Sequence, residues 1–321
     1  MITIGIDIGG TKIAAGFLDE EGKLKGFTRA NTEDVFAMGK DAASALQNFL
    51  DGYIHDQSLN PESLKGVGIG VPSALDSHTL EVVSTPYIPK LNHYPLSLLL
   101  SPKIGVPVFV ENDVNLIAIG EHLFGRGKGL THLACVFVGT GLGCGLILNN
   151  QLYTGADGAA AEFGHMIYDH EGRVCGCGAT DCFETYCSGF ALTYEAKRIF
   201  SQAEIDHFYA NGGNGEYSLA KHLITKARNG HKEAKTAIEK SFQILGIAIT
   251  DLVNLLNPQL VILGGGIMEG WPEALEIVKD VVYARARTVT RNRLVIDYPI
   301  LKDKAGLYGA ASLVNLKLSG K

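Results

Sequence analysis

The amino-acid sequence predicts an α/β protein of two domains, with a duplicated core and a cleft between the two copies. Its 321 residues are enough for about two domains of ~150 residues, each with its own hydrophobic core. Three short apolar runs at the N-terminus are separated by glycine-containing turns, which is typical of an antiparallel meander. A second meander with the same layout begins at Leu133, too far along for a solenoid repeat. We therefore expect one copy in each domain, a layout typical of ATP-driven clamshell proteins.

The remaining segments follow from hydrophobic periodicity. Fully apolar runs predict strands buried on both faces, and apolar residues at helical spacing predict helices. The predicted strands are residues 2–8, 12–18, 23–28, 66–71, 106–110, 133–138, 143–148, 151–153, 260–263 and 294–301. The predicted helices are residues 36–50, 114–124, 232–256 and 305–316. Residues 1–112 with a closing helix at about 302–321 would form the smaller domain, and residues 113–301 the larger one.

Charge and hydropathy exclude several classes of protein. The net charge is −6 and no predicted element carries a cluster of Lys and Arg, which disfavours nucleic-acid binding. The most apolar stretches are interrupted by glycines or by Asp251, Asn254 and Pro258, so no membrane span is expected. The N-terminus runs directly into a strand pattern without the features of a secretory signal. We therefore expect a cytoplasmic protein.

Three glycine-rich turns resemble phosphate-binding loops. A Cβ atom would keep a phosphate away from the backbone N–H groups, so glycine suits such turns. Asp7, at a strand end, would orient a hydrated Mg²⁺ ion, and Lys12 would offset γ-phosphate charge. The first turn alone could be an ordinary hairpin turn, but the matching turn in the second copy favours nucleotide binding. The candidate ATP-binding residues are Asp7, Gly9, Gly10, Thr11, Lys12, Gly139, Thr140, Gly141, Gly264, Gly265 and Gly266.

The segment Glu111-Asn112-Asp113 follows a buried strand and precedes a predicted helix. Ligands of open α/β sheets bind at such strand ends. Asp113 could serve only as a helix cap, but beside a bound ATP its carboxylate is the base that a hydroxyl acceptor needs. Asn112 has both a donor and an acceptor to offer to a polyol.

One histidine and three cysteines have the spacing of a metal site. His165, Cys175, Cys177 and Cys182 are the usual ligand set of a closed, structural Zn²⁺ site, in a loop over residues 165–182. The alternative is a group of reduced, buried cysteines, and Cys187 is an alternative ligand. Glu162 and Glu184 flank this loop, so a metal ion would fix both carboxylates where they can bind adjacent hydroxyl groups.

Together these motifs, in this order, resemble the ROK family of repressors and sugar kinases over essentially the whole chain. The resemblance implies an actin-like, ribonuclease-H-like two-domain ATPase fold with a duplicated βββαβα core. It implies transfer of the ATP γ-phosphate, with Mg²⁺, to a hexose at O6, with Asp113 as the general base. It also implies that the sugar is held by Asn112, Glu162, His165 and Glu184. One structural zinc ion per chain and a homodimer are further implications.

Some positions depart from the usual family pattern and leave the sugar open. Ser73, in a loop that approaches the sugar, and Asp181 and Cys144 replace common glycines. Glucose is our first expectation, followed by N-acetylglucosamine, N-acetylmannosamine and fructose. A sugar-responsive repressor without its DNA-binding domain, and a scaffold without sugar chemistry, are the two competing hypotheses. We also expect the sugar to draw the two domains together around the substrates.

Overall fold

The computed structural model describes residues 1–85, 88–168, 171–215 and 217–320. The chain divides into two compact units. The first contains residues 1–131, 145–161 and 300–321, and the second contains residues 132–144 and 162–299. The sequence placed the first boundary earlier, between Asn112 and Asp113. Among the described residues, no helix is both long and apolar enough to cross a membrane.

The strands match the predicted ones in order, with small shifts at their ends. In chain order they are β1 (Ile2–Ile8), β2 (Lys12–Leu18), β3 (Leu24–Asn31), β4 (Leu64–Val71), β5 (Val108–Asn112), β6 (Leu133–Val138), β7 (Leu142–Leu148), β8 (Gln151–Leu152), β9 (Leu260–Gly264) and β10 (Val295–Asp297). The last strand is shorter than the predicted 294–301. Pro299 lacks the N–H group that a longer ladder would need.

The helices are more numerous than the periodicity predicted. They are α1 (Thr32–Ala37), α2 (Ala42–Asp56), α3 (Leu96–Ile104), α4 (Asp113–Leu123), α5 (Glu184–Cys187), α6 (Gly189–Ile199), α7 (Gln202–Ala210), α8 (Ser218–Arg228), α9 (Lys232–Leu256), α10 (Gly266–Gly270), α11 (Ala274–Arg285), α12 (Thr288–Arg291) and α13 (Ala305–Leu318). Short 3-10 turns cover Pro61–Ser63, Pro89–Leu91, Phe163–His165 and Lys302–Lys304.

The predicted helix 36–50 is two helices. Asn31 caps α1, because its side-chain oxygen accepts from Glu33 N at 2.8 Å. Asp41 caps α2 in the same way and accepts from Ser44 N at 2.7 Å. Two separate N-caps ten residues apart in the chain define two separate helix starts.

The two sheets repeat one topology, which confirms the predicted α/β class and the duplication. The first has strand order β3-β2-β1-β4-β5, and the second has β8-β7-β6-β9-β10 when read from its other edge. In each, an antiparallel meander is extended by strands parallel to its first strand, because β1 pairs parallel with β4 and β6 pairs parallel with β9. The division between the two units falls within β7.

The carboxyl ends of three parallel strands lie side by side in the first unit and carry candidate site residues. Asp7 on β1 is opposite Gly70 on β4, and Gly70 is opposite Glu111 on β5. Helix α13 packs closely against this sheet, since a Cβ atom on Gly5 would lie 2.5 Å from Leu307 O. The sheet therefore presents Asp7, the end of β4 and the end of β5 along one edge.

Candidate functional site

Asp113 lies at the start of α4, where β5 ends. Its Oδ1 accepts a hydrogen bond from Val114 N at 2.8 Å. The preceding residue, Asn112, is the N-cap, and its Oδ1 accepts from Val114 N at 2.9 Å and from Asn115 N at 3.1 Å. A helix cap was the alternative to a base for Asp113, but Asn112 is the N-cap. The Asp113 carboxylate therefore sits in the first turn without being the main cap.

Asn112 is more constrained than the sequence indicated. Its side-chain oxygen Oδ1 accepts the hydrogen bonds of the helix cap, and its Nδ2 donates to Ser73 O at 3.3 Å. The sequence offered Asn112 as both donor and acceptor to a polyol. Since that oxygen is engaged in the cap, Asn112 has only the N–H groups of Nδ2 to offer a polyol and would act as a donor.

Ser73 lies at the end of the β4 segment and is 7% exposed. Its hydroxyl donates to Ala74 O at 2.9 Å and accepts from Ser84 N at 3.1 Å. Only one oxygen lone pair is left for a ligand. Its clearest contact with the candidate site is through its backbone oxygen, which orients Asn112.

Two carboxyl groups of the first unit titrate close to neutral pH. Desolvation by the surrounding protein, strengthened by the nearby charge of Asp7, raises the pKa of Asp113 to about 7. Desolvation also raises the pKa of Asp7 to about 6, although the charge of Arg29 opposes this shift. A carboxyl group with a pKa near 7 is suited to accept a proton at physiological pH.

The first glycine turn connects β1 and β2. Gly9 N donates to Lys12 O at 2.9 Å, which closes the turn. Thr32, at the start of α1, fixes it further by donating its hydroxyl to Gly9 O at 2.7 Å. Gly10, Thr11 and Lys12 are exposed, so their polar groups are accessible to a ligand.

The second glycine turn and the third glycine run lie side by side in the second unit. Phe137 on β6 is opposite Gly264 on β9, so the Gly139 turn and the run from Gly264 to Gly266 follow neighbouring parallel strand ends. Gly265 has a φ of +98°, and a Cβ atom there would overlap Val138 O. This position therefore requires glycine. Thr140 and Gly141 complete the turn, which closes through a bond from Gly139 N to Gly141 O at 3.0 Å.

The predicted histidine and cysteine ligands converge. The ligand atoms of His165, Cys175, Cys177 and Cys182 all lie within 4.8 Å of one another. Cys175 Sγ is 3.6 Å from His165 Nδ1, and Cys177 Sγ is 3.7 Å from Cys182 Sγ. A tetrahedral zinc site with Zn–S bonds of about 2.3 Å separates its ligands by about 3.8 Å. The donor set and its spacing therefore fit Zn²⁺, and the cluster does not include Cys187.

Glu184 connects the cysteine cluster to the second glycine turn. Its Oε1 lies 3.7 Å from Cys175 Sγ, and its Oε2 accepts from Leu142 N at 2.9 Å. Glu162 approaches the cluster from the other side, with its Oε2 3.7 Å from His165 Nε2. The structure thus places both carboxylates next to the cysteine cluster.

Two buried acids that support these sites were given no function from the sequence. Glu111 Oε1 accepts from Asn112 N at 2.9 Å and from Asn115 Nδ2 at 3.0 Å, which stiffens the start of α4. Asp181 is 5% exposed and accepts bonds from both sides of the cysteine loop. The only sequence signal for Asp181 was its place before Cys182, where a glycine is common.

Comparison with known proteins matches the chain to one family. The model of the ROK family matches residues 3–317. A glucokinase of Thermotoga maritima is 32% identical over 325 residues, covering 99% of this chain and 98% of the relative. A glucokinase of Streptomyces coelicolor is 36% identical over 318 residues, covering 97% of each. A crystal structure of a ROK family glucokinase from Streptomyces griseus, in complex with glucose and AMPPNP, superposes with a TM-score of 0.75 at 32% identity, covering 98% of this chain and 99% of that one.

Proposed function

Because the chain belongs to the ROK family, we propose that it is an ATP-dependent sugar kinase that transfers the γ-phosphate to the 6-hydroxyl of a hexose. Glucose is the proposed acceptor, since the relatives named above are glucokinases. The observation that carries the proposal is the carboxyl group of Asp113, which directly follows β5 and has a pKa near 7. That group matches the chemical need of a hydroxyl nucleophile.

Asp113 is the proposed general base. It takes the proton of the sugar 6-hydroxyl as that oxygen bonds to the γ-phosphorus. The bond between the γ-phosphorus and the oxygen that bridges to the β-phosphate breaks, and ADP leaves with the electron pair of that bond. Asp113 accepts a hydrogen bond from Val114 N on Oδ1, which holds the carboxyl group at the start of α4.

The remaining polar groups have positioning functions in this proposal. Asn112 donates to the sugar, and Glu162, His165 and Glu184 complete its binding, with Ser73 orienting Asn112. The phosphate groups are held by the three glycine-rich turns, and Lys12 offsets their charge. Mg²⁺ bound with ATP supplies further charge neutralisation, and Asp7 orients its water shell. His165 and the three cysteines would hold Zn²⁺, which would order the loop that carries Glu162 and Glu184.

The pH profile should report the ionisation of Asp113. A base must be deprotonated to act, so kcat/KM should fall as the pH drops below about 7 and level off above it. The sign follows from the raised pKa, because an ordinary Asp would remain active down to about pH 4. Initial rates at saturating Mg-ATP from pH 5 to pH 9 measure this profile. A rate that stays constant down to pH 5 would contradict the assignment.

Gly141→Ala should weaken sugar binding through Glu184. A Cβ atom at Gly141 would overlap Glu184 Oε2 and displace the carboxylate from Leu142 N. Loss of a charged hydrogen bond predicts a rise in sugar KM of about 10-fold or more. Gly52→Ala is the control, because its Cβ atom would contact nothing within 4 Å. An unchanged sugar KM in the Gly141 variant would contradict the proposal that Glu184 binds the sugar.

A coupled ADP-release assay tests the function directly. The panel is glucose, mannose, fructose, N-acetylglucosamine and N-acetylmannosamine with saturating Mg-ATP. The proposal predicts the highest kcat/KM with glucose. Faster turnover of an N-acetylated sugar or of fructose would make that sugar the preferred acceptor, and the proposed kinase activity would still stand. Sugar binding without ADP release would favour the sugar-responsive regulator instead.

Oligomeric state and location stay predictions. The homodimer follows from the family resemblance, and light scattering on the purified protein would measure it. A cytoplasmic location is tested by fractionation of cells that express the chain.

A further inference from the structure

The loop that carries the three cysteines is closed at its base by a buried acid. Arg173 and Asp181 face each other across this base, because Asp181 N donates to Arg173 O at 2.8 Å. One position further along, Val174 and Thr180 form a β-bridge. Cys175 therefore directly follows the first side of a short hairpin, and Cys182 directly follows its second side.

The side chain of Asp181 adds three bonds to this hairpin. Its Oδ1 accepts from Gly172 N at 2.9 Å, from Arg173 N at 3.1 Å and from Tyr186 Oη at 2.6 Å. Hydrogen bonds to a carboxylate are shorter and stronger than those between neutral groups. Burial raises the pKa of Tyr186, so this hydroxyl keeps its proton and remains a donor. One oxygen atom thus joins both sides of the hairpin to helix α5.

Helix α5 begins with Glu184, the residue whose carboxylate contacts both Leu142 N and Cys175. Arg173 also connects the hairpin to α5. Its guanidinium lies 4.3 Å from the ring centroid of Tyr186 and donates to Thr185 O at 3.2 Å. Glu195, in turn, accepts from Arg173 at 3.1 Å. Asp181 and Arg173 together fix the orientation of α5 relative to the cysteine loop.

The backbone conformation of Asp181 is one that an acidic residue adopts only at a cost in free energy. Its φ is +60°, the left-handed region that glycine adopts without cost and other residues disfavour. Asp tolerates this conformation better than most residues, but glycine would suit the backbone best. The chain therefore accepts some backbone strain at this position, and what it gains is the hydrogen-bond acceptor.

We propose that Asp181 is a positioning residue that closes the cysteine loop before metal binds and holds Glu184 in its sugar-binding place. The inference rests on the proposed sugar kinase and on its metal loop. It assigns to this chain an internal support for the loop that a glycine at the same position would not provide. The side chain acts through Gly172, Arg173 and Tyr186.

Two substitutions separate the acceptor from the backbone. Asp181→Gly keeps the left-handed conformation and removes the acceptor, whereas Asp181→Asn tolerates that conformation and keeps a carbonyl oxygen. In the Gly variant we expect zinc release to a chelator to be about 10-fold to 100-fold faster. We expect its sugar KM to rise by about 10-fold, with kcat within about threefold of the wild type. The Asn variant should stay close to the wild type in both measurements.

Hydrogen exchange in the metal-free protein supplies a readout that does not depend on activity. The amides of Gly172 and Arg173 should exchange faster in the Gly variant than in the Asn variant or the wild type. If the Gly variant equals the wild type in exchange, zinc release and KM, the proposal is overturned and Asp181 only occupies a turn. Equal losses in the Gly and Asn variants would also overturn it, since the retained acceptor would then have no effect.

Tyr186→Phe keeps the proposal testable if the Gly variant does not fold. It removes one of the three donors and leaves the backbone unchanged, so zinc release should be faster than in the wild type. A wild-type release rate would count against the proposal.

If the wild type binds no zinc or releases no ADP, the proposed function fails, and amide protection still decides whether Asp181 closes the loop. If the wild type binds zinc and phosphorylates sugar but the exchange rates are equal, only the inference about Asp181 fails.

Discussion

Asp113→Asn should lower kcat by roughly 10²-fold or more while sugar KM changes little. The amide has nearly the same shape and still accepts the bond from Val114 N, but it cannot take a proton from the sugar hydroxyl. The loss should therefore fall on the chemical step. Initial-rate kinetics with varied sugar at saturating Mg-ATP separate kcat from KM. Turnover close to that of the wild type would show that Asp113 is not the base.

The same variant should fold at least as well as the wild type, which separates lost chemistry from lost structure. The folded-state pKa of Asp113 is raised from 3.8 to about 7. A carboxyl group raised in this way contributes most stability below pH 4, and that contribution is lost as the pH rises toward about 7. Above pH 7, the Asn variant should therefore have a Tm equal to or above that of the wild type. Asp34→Asn, the same change at an exposed position, serves as the control and should leave kcat unchanged.

The parts of the fold that sequence reasoning predicted well are those governed by local pattern. The limits of β1, β2 and β6 and of the long helix α9 were predicted to the residue. Each is a run with a single period, bounded by Gly9-Gly10, by Gly139 or by Asn257-Pro258. The duplicated meander was visible for the same reason, because turn residues at matching places define strand ends without any long-range contact.

The parts that sequence reasoning missed depend on contacts between distant residues or on side-chain orientation. Helices α6 and α8 form where their apolar faces pack against each other and against α9. The commitment of Asn112 Oδ1 to a helix cap depends on the strand ending one residue before Asp113. The bond between Asp181 and Tyr186 depends on how a loop closes. No spacing rule indicates that a buried acid beside a cysteine will accept three bonds at once.

Metal ligands form an intermediate case. The cysteines were found from their spacing alone, because a closed site requires ligands whose spacing in the chain is short. The ligand atoms of the four named residues converge in space, and Cys187 lies outside that cluster, with its Sγ donating to Phe183 O at 3.2 Å. A pattern can identify ligands when chemistry restricts the residue types. It cannot rank two cysteines that are both near the loop.

Cys177→Ala should abolish zinc binding and raise sugar KM by at least the 10-fold to 100-fold seen when residues that only support a metal ligand are changed. Cys177 is exposed, so its replacement leaves no cavity in the core, and the effect should come from the lost ligand. Glu162 and Glu184 would then lose the fixed loop that positions them, while the glycine turns remain intact. Elemental analysis, sugar kinetics and titration with a nonhydrolysable ATP analogue measure metal, sugar and nucleotide binding separately.

Cys187→Ala is the matched control for that experiment. It removes a thiol five residues after Cys182 that the structure places outside the ligand cluster. We expect this variant to keep about one zinc ion per chain and a wild-type sugar KM, although loss of a buried side chain should lower its Tm slightly. The two variants differ in which thiol is lost and not in the chemistry of the substitution. If both retained zinc, or if only Cys187→Ala lost it, the assignment of Cys177 as a ligand would be wrong. If nucleotide affinity fell together with zinc in Cys177→Ala, the metal would act on more than the sugar-binding loop.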